Sequence, residues 1–332
     1  MNKTLKISLN ILIFALIAGF GYYMVSSIIS DENTTSSGDE NTENTFVSPY
    51  KKTNSFDVSS EIACFDIYEN AVYVALSYKI SIFDLSGKHQ RDFNINYNPR
   101  DIAVDETGIF VLYPAEINLY SFDGQKTGKW EACSDNADYC ALTTTADYVF
   151  VTDAENKNIV QYDKQGGLVR FIKSPEGFII PSYAFDIISI NDTIYVSNSG
   201  RHRIESYTLD GEFITSFGKS GAGAGAFAGC CNPVYLAKSS GGHILTSEKG
   251  NPRISCFSRN GKFRTILFDA NMLGGGTSAY EMQVSGENIY IAKGKTISVF
   301  GFDVAHCASG KSCNGCPKAR HCGFDPQSPE NK

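Results

Sequence analysis

Ten cysteines in 332 residues carry most of the reactive chemistry open to this sequence, and their spacing sorts them into groups. The C-terminal run HCASGKSCNGCPKARHCG reads Cys307-x5-Cys313-x2-Cys316-x5-Cys322, with His306 and His321 each preceding an outer cysteine. A Cys-x2-Cys pair lets two sulfurs face one ion, so these four thiolates can wrap a tetrahedral zinc or an iron–sulfur cluster. The same four can form two disulfides that knot a tail with no core of its own. A chain threaded unfolded across a membrane carries no preassembled cluster, and the N-terminus shows no Arg-Arg export signal, which weighs towards the disulfides.

Cys133 and Cys140, in CSDNADYC, are spaced for a local loop-closing disulfide. Cys230 and Cys231 are adjacent, in FAGCCNP. Neighbouring side chains of an extended chain point in different directions, so bonding to each other would strain the backbone. The expectation is bridges to separate partners, with Cys133 or Cys140 as candidates, or thiolate ligation of a soft metal. Hydrolase signatures are absent: there is no Gly-x-Ser-x-Gly elbow and no His-Glu-x-x-His pair. The GAGAGA run lacks the strand–glycine–helix unit of a phosphate cradle.

The elements that position these residues repeat. Val72–Leu85 (VYVALSYKISIFDL), Ile109–Phe122, Val149–Asp163, Ile194–Leu209 and Ile289–Phe302 share one pattern, and Ile244–Phe257 is a weaker copy. Each is a short β-branched and aromatic strand, a polar turn and a second strand. All but the last copy continue into a D-x-x-G or similar turn, as in DLSGK and TLDGE, which is a hairpin signal. Most are preceded by another strand, such as PRDIAVD at 99–105 or PVYLAK at 233–238. Four strands every ~40 residues is the period of a propeller blade.

The fourth copy, IYVSNSGRHRIESYTLDGEFITSFG, followed by GKSGAGAGAFAGCCNPVYLA, resembles the NHL repeat in its polar turn, His-Arg-Ile, Asp-Gly hairpin and glycine-rich lead into Phe and Pro. The departure is the inserted Cys230-Cys231 pair. The resemblance spans residues 56–303 and implies an all-β, six-bladed β-propeller of four-stranded blades. The N-terminal strand, expected around Phe56–Ser59, closes the last blade. The loop leading into each inner strand and the turn between second and third strands then share one face, at the mouth of the central channel. That face is expected to bear Cys230, Cys231, Tyr78, Glu116, Asp153, Asn156, Asn198, Arg201, His202 and Glu248. Of these, Cys230, Cys231, Asp153, Asn198, Arg201 and Glu248 are the candidate ligand-binding set.

Ahead of the repeats, residues 1–6 hold Lys3 and Lys6, and 7–30 are an uncharged, largely apolar run. At about 1.5 Å per residue it is long enough to cross a hydrocarbon core of about 30 Å. With lysines before it and acids after it, it reads as a single-pass signal anchor that places the rest of the chain outside the cytoplasm. Residues 31–55 are polar and aperiodic, a flexible tether, and 304–332 form the cysteine-rich tail. Residues 31–50 hold five acids and no base, five of the seven net negative charges, and no basic excess marks a nucleic-acid partner. Two function classes follow. One is a membrane-anchored, periplasmic or extracellular binding or scaffolding module with a protein or peptide partner, within a redox or electron-transfer complex through its cysteines. The other is a metal-dependent propeller enzyme of lactonase, esterase or lyase type, with Glu116, Asp153, Asn198 and Glu248 as channel-mouth ligands.

Overall fold

The runs of β-branched and aromatic residues fold as strands, and polar Gly/Asp turns separate them. The computed structural model describes residues 48–303. The expected anchor at 7–30, most of the tether, and Cys307, Cys313, Cys316 and Cys322 with their flanking histidines lie outside the described residues. Among the described residues no helix is long and apolar enough to cross a membrane.

The chain opens with β1 (Tyr50–Asp57). Blade 1 is β2 (Cys64–Tyr68), β3 (Ala71–Ala75), β4 (Lys79–Asp84) and β5 (His89–Asn94). Blade 2 is β6 (Asp101–Asp105), β7 (Gly108–Tyr113), β8 (Glu116–Tyr120) and β9 (Lys126–Glu131). Blade 3 is β10 (Tyr139–Thr144), β11 (Tyr148–Asp153), β12 (Asn158–Asp163) and β13 (Leu168–Ile172). Blade 4 is β14 (Ile187–Ile190), β15 (Thr193–Asn198), β16 (Arg203–Thr208) and β17 (Phe213–Phe217). Blade 5 is β18 (Tyr235–Lys238), β19 (Ile244–Glu248), β20 (Arg253–Phe257) and β21 (Phe263–Phe268). β22 (Met282–Ser285), β23 (Asn288–Lys293) and β24 (Thr296–Phe302) form blade 6, completed by β1.

Every blade is an antiparallel four-stranded sheet, and β1 pairs with β24 from Tyr50↔Phe302 to Asp57↔Thr296. The N-terminal strand therefore closes the last blade as expected, but it begins six residues before the expected start of the domain. The reason is physical. As an outer strand it buries only Tyr50 and leaves Lys51 to Ser55 exposed, so it lacks the apolar alternation by which a strand is recognised.

The apolar interior is divided. Six clusters of buried side chains lie one between each pair of neighbouring blades. Val111 and Tyr113 pack with Ile80 and Ile82 of blade 1, for example, while Tyr290 and Val299 pack with Phe65 and Val74. Each sheet is thus buried on both faces, which explains why the middle strands are near-continuous Val, Ile, Phe and Tyr rather than alternating. Closing the ring covers the first and last sheets with each other.

The recurrent glycine turn joins third and fourth strands, and its glycine is where one blade meets the previous one. A β-carbon on Gly87 would stand 2.4 Å from Phe56, on Gly124 2.5 Å from Phe93, on Gly166 2.5 Å from Trp130 and on Gly261 2.4 Å from Phe217. In each of these four cases the turn glycine packs against an aromatic side chain on the preceding blade's outer strand. Blade 6 has no such turn because its fourth strand comes from the other end of the chain.

Gly166 combines a φ of +86° with that contact, so Gly166→Ala should cost about 2–4 kcal/mol from backbone strain and overpacking together. Gly128, whose added β-carbon would meet nothing closer than 3.5 Å, is the matched control. Chemical denaturation of the two variants checks this: equal midpoints would remove the aromatic–glycine seam as a stability determinant.

Candidate functional site

The six inner strands surround a channel of about 590 Å³, lined by residues of every blade. Its most distinctive side chains are four carboxylates, Asp66, Asp101, Asp186 and Glu281, none of which belonged to the expected site. Asp66 Oδ2 accepts the Val104 N–H at 2.8 Å, carrying blade 1 to blade 2. Asp101 Oδ2 accepts from Leu142 N at 2.8 Å, blade 2 to blade 3. Asp186 Oδ2 accepts from Leu236 N at 2.6 Å, blade 4 to blade 5. Glu281 Oε1 accepts from Phe65 N at 3.0 Å and closes blade 6 onto blade 1. Hydroxyls bridge the two remaining junctions: Thr152 Oγ1 donates to Phe185 O at 2.6 Å, and Ser247 Oγ accepts from Tyr280 N at 2.9 Å. Every junction of the ring is therefore crossed by a side chain bonded to the next blade's backbone.

Withdrawal from bulk water raises all four carboxyls above their ordinary range. Burial brings Asp66 and Asp186 up to about 7, against the backbone N–H bonds that favour the charged form. Asp101 and Glu281 rise further, from burial first and from their neighbouring acids second. Cys64 lines the same channel, and burial beside Glu281 and Asp101 pushes its thiol up, so it stays protonated.

The loops at the channel mouth hold the expected site residues, but most turn inward. Asp153 is buried, and its carboxylate accepts from the backbone of Asp138 and Asn156 at 3.1 Å each. Asn198 is buried too: its Oδ1 accepts from Ile179 N at 3.0 Å and its Nδ2 donates to Glu205 Oε1 at 2.8 Å. Arg201 Nε donates to Gly177 O at 2.9 Å. Glu248 forms a buried ion pair with Arg253, at 2.6 Å from Nε to Oε1 and 3.0 Å from Nη2 to Oε2. Arg253 Nη1 then donates to Ala222 O at 3.0 Å in the glycine-rich lead-in. Glu116 takes Asn118 Nδ2 at 3.0 Å and Lys129 Nζ at 2.8 Å. These polar groups pin their own loops and converge on no common point. Among the described residues no three His, Cys, Asp or Glu side chains come together as a metal site.

Other residues face solvent at the mouth. Tyr78 is 68% exposed and Tyr183 56%, and Tyr97 and Ile179 are exposed on other loops of the same face. Arg100, leading into blade 2, stacks over the Tyr183 ring of the blade 4 lead-in at 5.3 Å and pairs with Asp138 of blade 3 at 3.3 Å. Ser182 and Tyr183 both hold positive φ, 58° and 57°, a conformation that non-glycine residues keep only where the surroundings impose it.

The cysteines separate. Cys133 Sγ donates to Tyr162 Oη at 3.1 Å and Cys140 Sγ to Asp138 O at 3.6 Å, each a free thiol in the structure. Cys230 and Cys231 meet each other, Sγ to Sγ 2.7 Å. The expectation that their side chains diverge presumed an extended chain. Residues 229–231 instead form a bend, with Gly229 at a φ of +73°.

The carboxylates had a signal in the sequence. Asp101-Ile102, Asp186-Ile187 and Glu281-Met282 place an acid before an apolar residue where an inner strand begins. That repeat shows only when the lead-in strands are aligned rather than the hairpins.

A closed ring of six four-stranded antiparallel blades around a polar channel defines a six-bladed β-propeller. No protein-family model matches the chain, and no curated protein matches it in sequence. Among solved structures it is similar to virginiamycin B lyase from Staphylococcus aureus, at 14% identity and a TM-score of 0.53, over 76% of this chain and 100% of that one. A streptogramin B lyase structure gives 14% identity and a TM-score of 0.56, over 76% of this chain and 98% of the other. A protein of unknown function from Bacteroides thetaiotaomicron gives 11% identity and a TM-score of 0.55, over 76% and 75%. Identities this low establish a shared fold and carry no activity across.

The channel acids make stability depend on pH with a definite sign. Unfolded aspartates titrate near 3.9, whereas Asp66 and Asp186 titrate at about 7 in the fold. Between those values the native state holds protons that the unfolded chain has released, so stability falls as pH rises through about 7. Thermal unfolding should give a higher Tm at about pH 5 than at about pH 8, with a flatter profile in Asp186→Asn. A Tm that rises over this interval would overturn the assignment.

Proposed function

We propose that this chain is an extracytoplasmic β-propeller, held at the membrane by residues 7–30, that acts as a binding or scaffolding module for a protein or peptide. The docking face is the channel mouth. The observation that carries this reading is the exposed aromatic set there, Tyr78, Tyr97 and Tyr183, with Arg100 stacked on the last. Tyrosine and arginine offer large, stiff, amphipathic surface at low entropic cost and concentrate in the energetic centres of protein interfaces. Apart from Ile179 in the blade 4 lead-in, the remaining exposed large apolar side chains lie on β13 and β17, the outer strands of blades 3 and 4, where they do not border the channel. The NHL-like pattern of blade 4 supports placing the chain among recognition propellers, because rigid rings with variable loops suit binding.

The alternative is a metal-dependent propeller enzyme. It draws on Glu116, Asp153, Asn198 and Glu248, and these are occupied by Lys129, Asn156, Glu205 and Arg253. A ligand role for them requires breaking those bonds first, which favours the binding module.

A photo-crosslinking residue placed at Tyr78 or Tyr183 of the full-length chain in its native membrane should yield a discrete adduct. The same residue at the exposed Glu106, in the turn between β6 and β7 on the opposite face, should not. Equal adducts from both faces would sink the docking assignment.

The cysteine-rich tail completes the reading, as a metal or electron-transfer centre or as a disulfide-knotted stabiliser. Elemental analysis and an absorbance spectrum on anaerobically purified protein, with disulfide mapping, separate the two. Iron or zinc that is lost in a Cys313→Ser, Cys316→Ser variant supports a centre held by Cys307, Cys313, Cys316 and Cys322. A colourless, fully bridged tail supports the knot. Four free thiols without metal would overturn both.

A further inference from the structure

The Cys230–Cys231 pair is built and held in a way that a packing accident is not. Its loop is tied down on both sides. Asn232 Nδ2 donates to Ala228 O at 2.6 Å and to Lys249 O at 2.9 Å, while Asn232 Oδ1 accepts from Lys249 N at 2.9 Å. His202 donates from Nε2 to Gly229 O, just ahead of the pair. The two sulfurs are then held 2.7 Å apart, where a disulfide needs about 2.05 Å. They differ in access: Cys230 is exposed, whereas Cys231 is 2% exposed and lies 3.9 Å from Ser182 Oγ. Their acidities differ as well. Burial alone would raise the Cys231 thiol, but hydrogen bonds from Cys230 and Ser182 and the nearby Lys249 charge outweigh it and lower it. Cys230 is raised by its hydrogen bond with Cys231 and by that neighbour's charge.

From this geometry we infer that Cys230 and Cys231 are a redox-active vicinal dithiol at the channel mouth, which reduces an incoming disulfide and closes to a Cys230–Cys231 disulfide. The activity is separate from the docking role proposed above and stands without it. The outer sulfur reacts first because it alone is reachable. Cys230 Sγ, as the thiolate, attacks one sulfur of the incoming disulfide. That S–S bond breaks, and one half leaves as a thiolate that takes up the proton Cys230 has lost. Cys231 Sγ then attacks Cys230 Sγ and expels the second half, which leaves with the Cys231 proton. Two protein thiols have been oxidised by two electrons, and one external disulfide has been reduced to two thiols. The resolving step needs the second sulfur within reach and already tending to thiolate, and Cys231 meets both conditions.

The test uses the full-length chain, reduced and then exposed to oxidised glutathione. Trypsin cuts after Lys219 and Lys238, releasing peptide 220–238, which carries these two cysteines and no other. The expected product is that peptide lighter by two hydrogens and closed to alkylation, with both alkylation sites restored on reduction. Cys231→Ser should stop the reaction halfway, leaving one glutathione on Cys230. Cys230→Ser, an exposed substitution compatible with folding, should cut adduct formation at least about tenfold, because the buried thiol is shielded. Both wild-type thiols remaining alkylatable would overturn the inference. So would two persistent glutathione adducts, or a cross-link from this peptide to another cysteine.

Discussion

The ring holds because each blade is fastened to the next by a side chain bonded to backbone, at four junctions from the channel wall. Six apolar clusters fill the interfaces between blades, but hydrophobic packing is non-directional and does not set how one sheet meets its neighbour. Direction comes from Asp66, Asp101, Thr152, Asp186, Ser247 and Glu281, each bonded to backbone of the following blade. Because the last of these returns to Phe65, blade 6 is fastened to blade 1 by a carboxylate–backbone bond of the kind that also joins blades 1 and 2, 2 and 3, and 4 and 5. The strand β1, arriving from the other end of the chain, then covers an edge that would otherwise be open to another chain.

The same acids give the channel its chemistry. Carboxylates that staple blades must sit at the inner wall, so the fastening also creates an acid-lined space with displaced protonation. Structure and electrostatics are thus one feature seen twice. The polar groups of the mouth are committed in a similar way: Asp153, Asn198, Arg201 and Glu248 hold their own loops, and that rigidity leaves Tyr78, Tyr97, Tyr183 and the Cys230–Cys231 bend projecting from a firm base. Of the residues expected to meet a ligand, Asp153, Asn198, Arg201 and Glu248 are the support, while Cys230 and the tyrosines form the accessible surface.

Much of the fold was legible because a propeller repeats. Six hairpins with matched spacing, five of them followed by a glycine turn of D-x-x-G or similar pattern, leave few architectures open, and the middle and third strands lie where the pattern puts them. The outer strand β1 was harder to see, since a strand exposed on its flank carries Lys51, Lys52 and Asn54 rather than an apolar alternation. The turn glycines were visible as turn residues only. That Gly87, Gly124, Gly166 and Gly261 each meet a ring from the blade before is a relation across about 30 to 45 residues that no local pattern encodes.

The site divides along the same line. Sequence alone established which residue types are available, that the loops before inner strands share a face with the second turns, and that Cys230 and Cys231 sit in one of those loops. These follow from strand alternation and repeat period, which are local properties. Tertiary structure decided what each side chain does there. Whether a carboxylate faces a ligand or a backbone N–H depends on the neighbouring blade, and whether two adjacent cysteines diverge or meet depends on a bend held by Asn232, Lys249 and His202 from elsewhere in the chain. Contacts of that kind arise only when the ring closes.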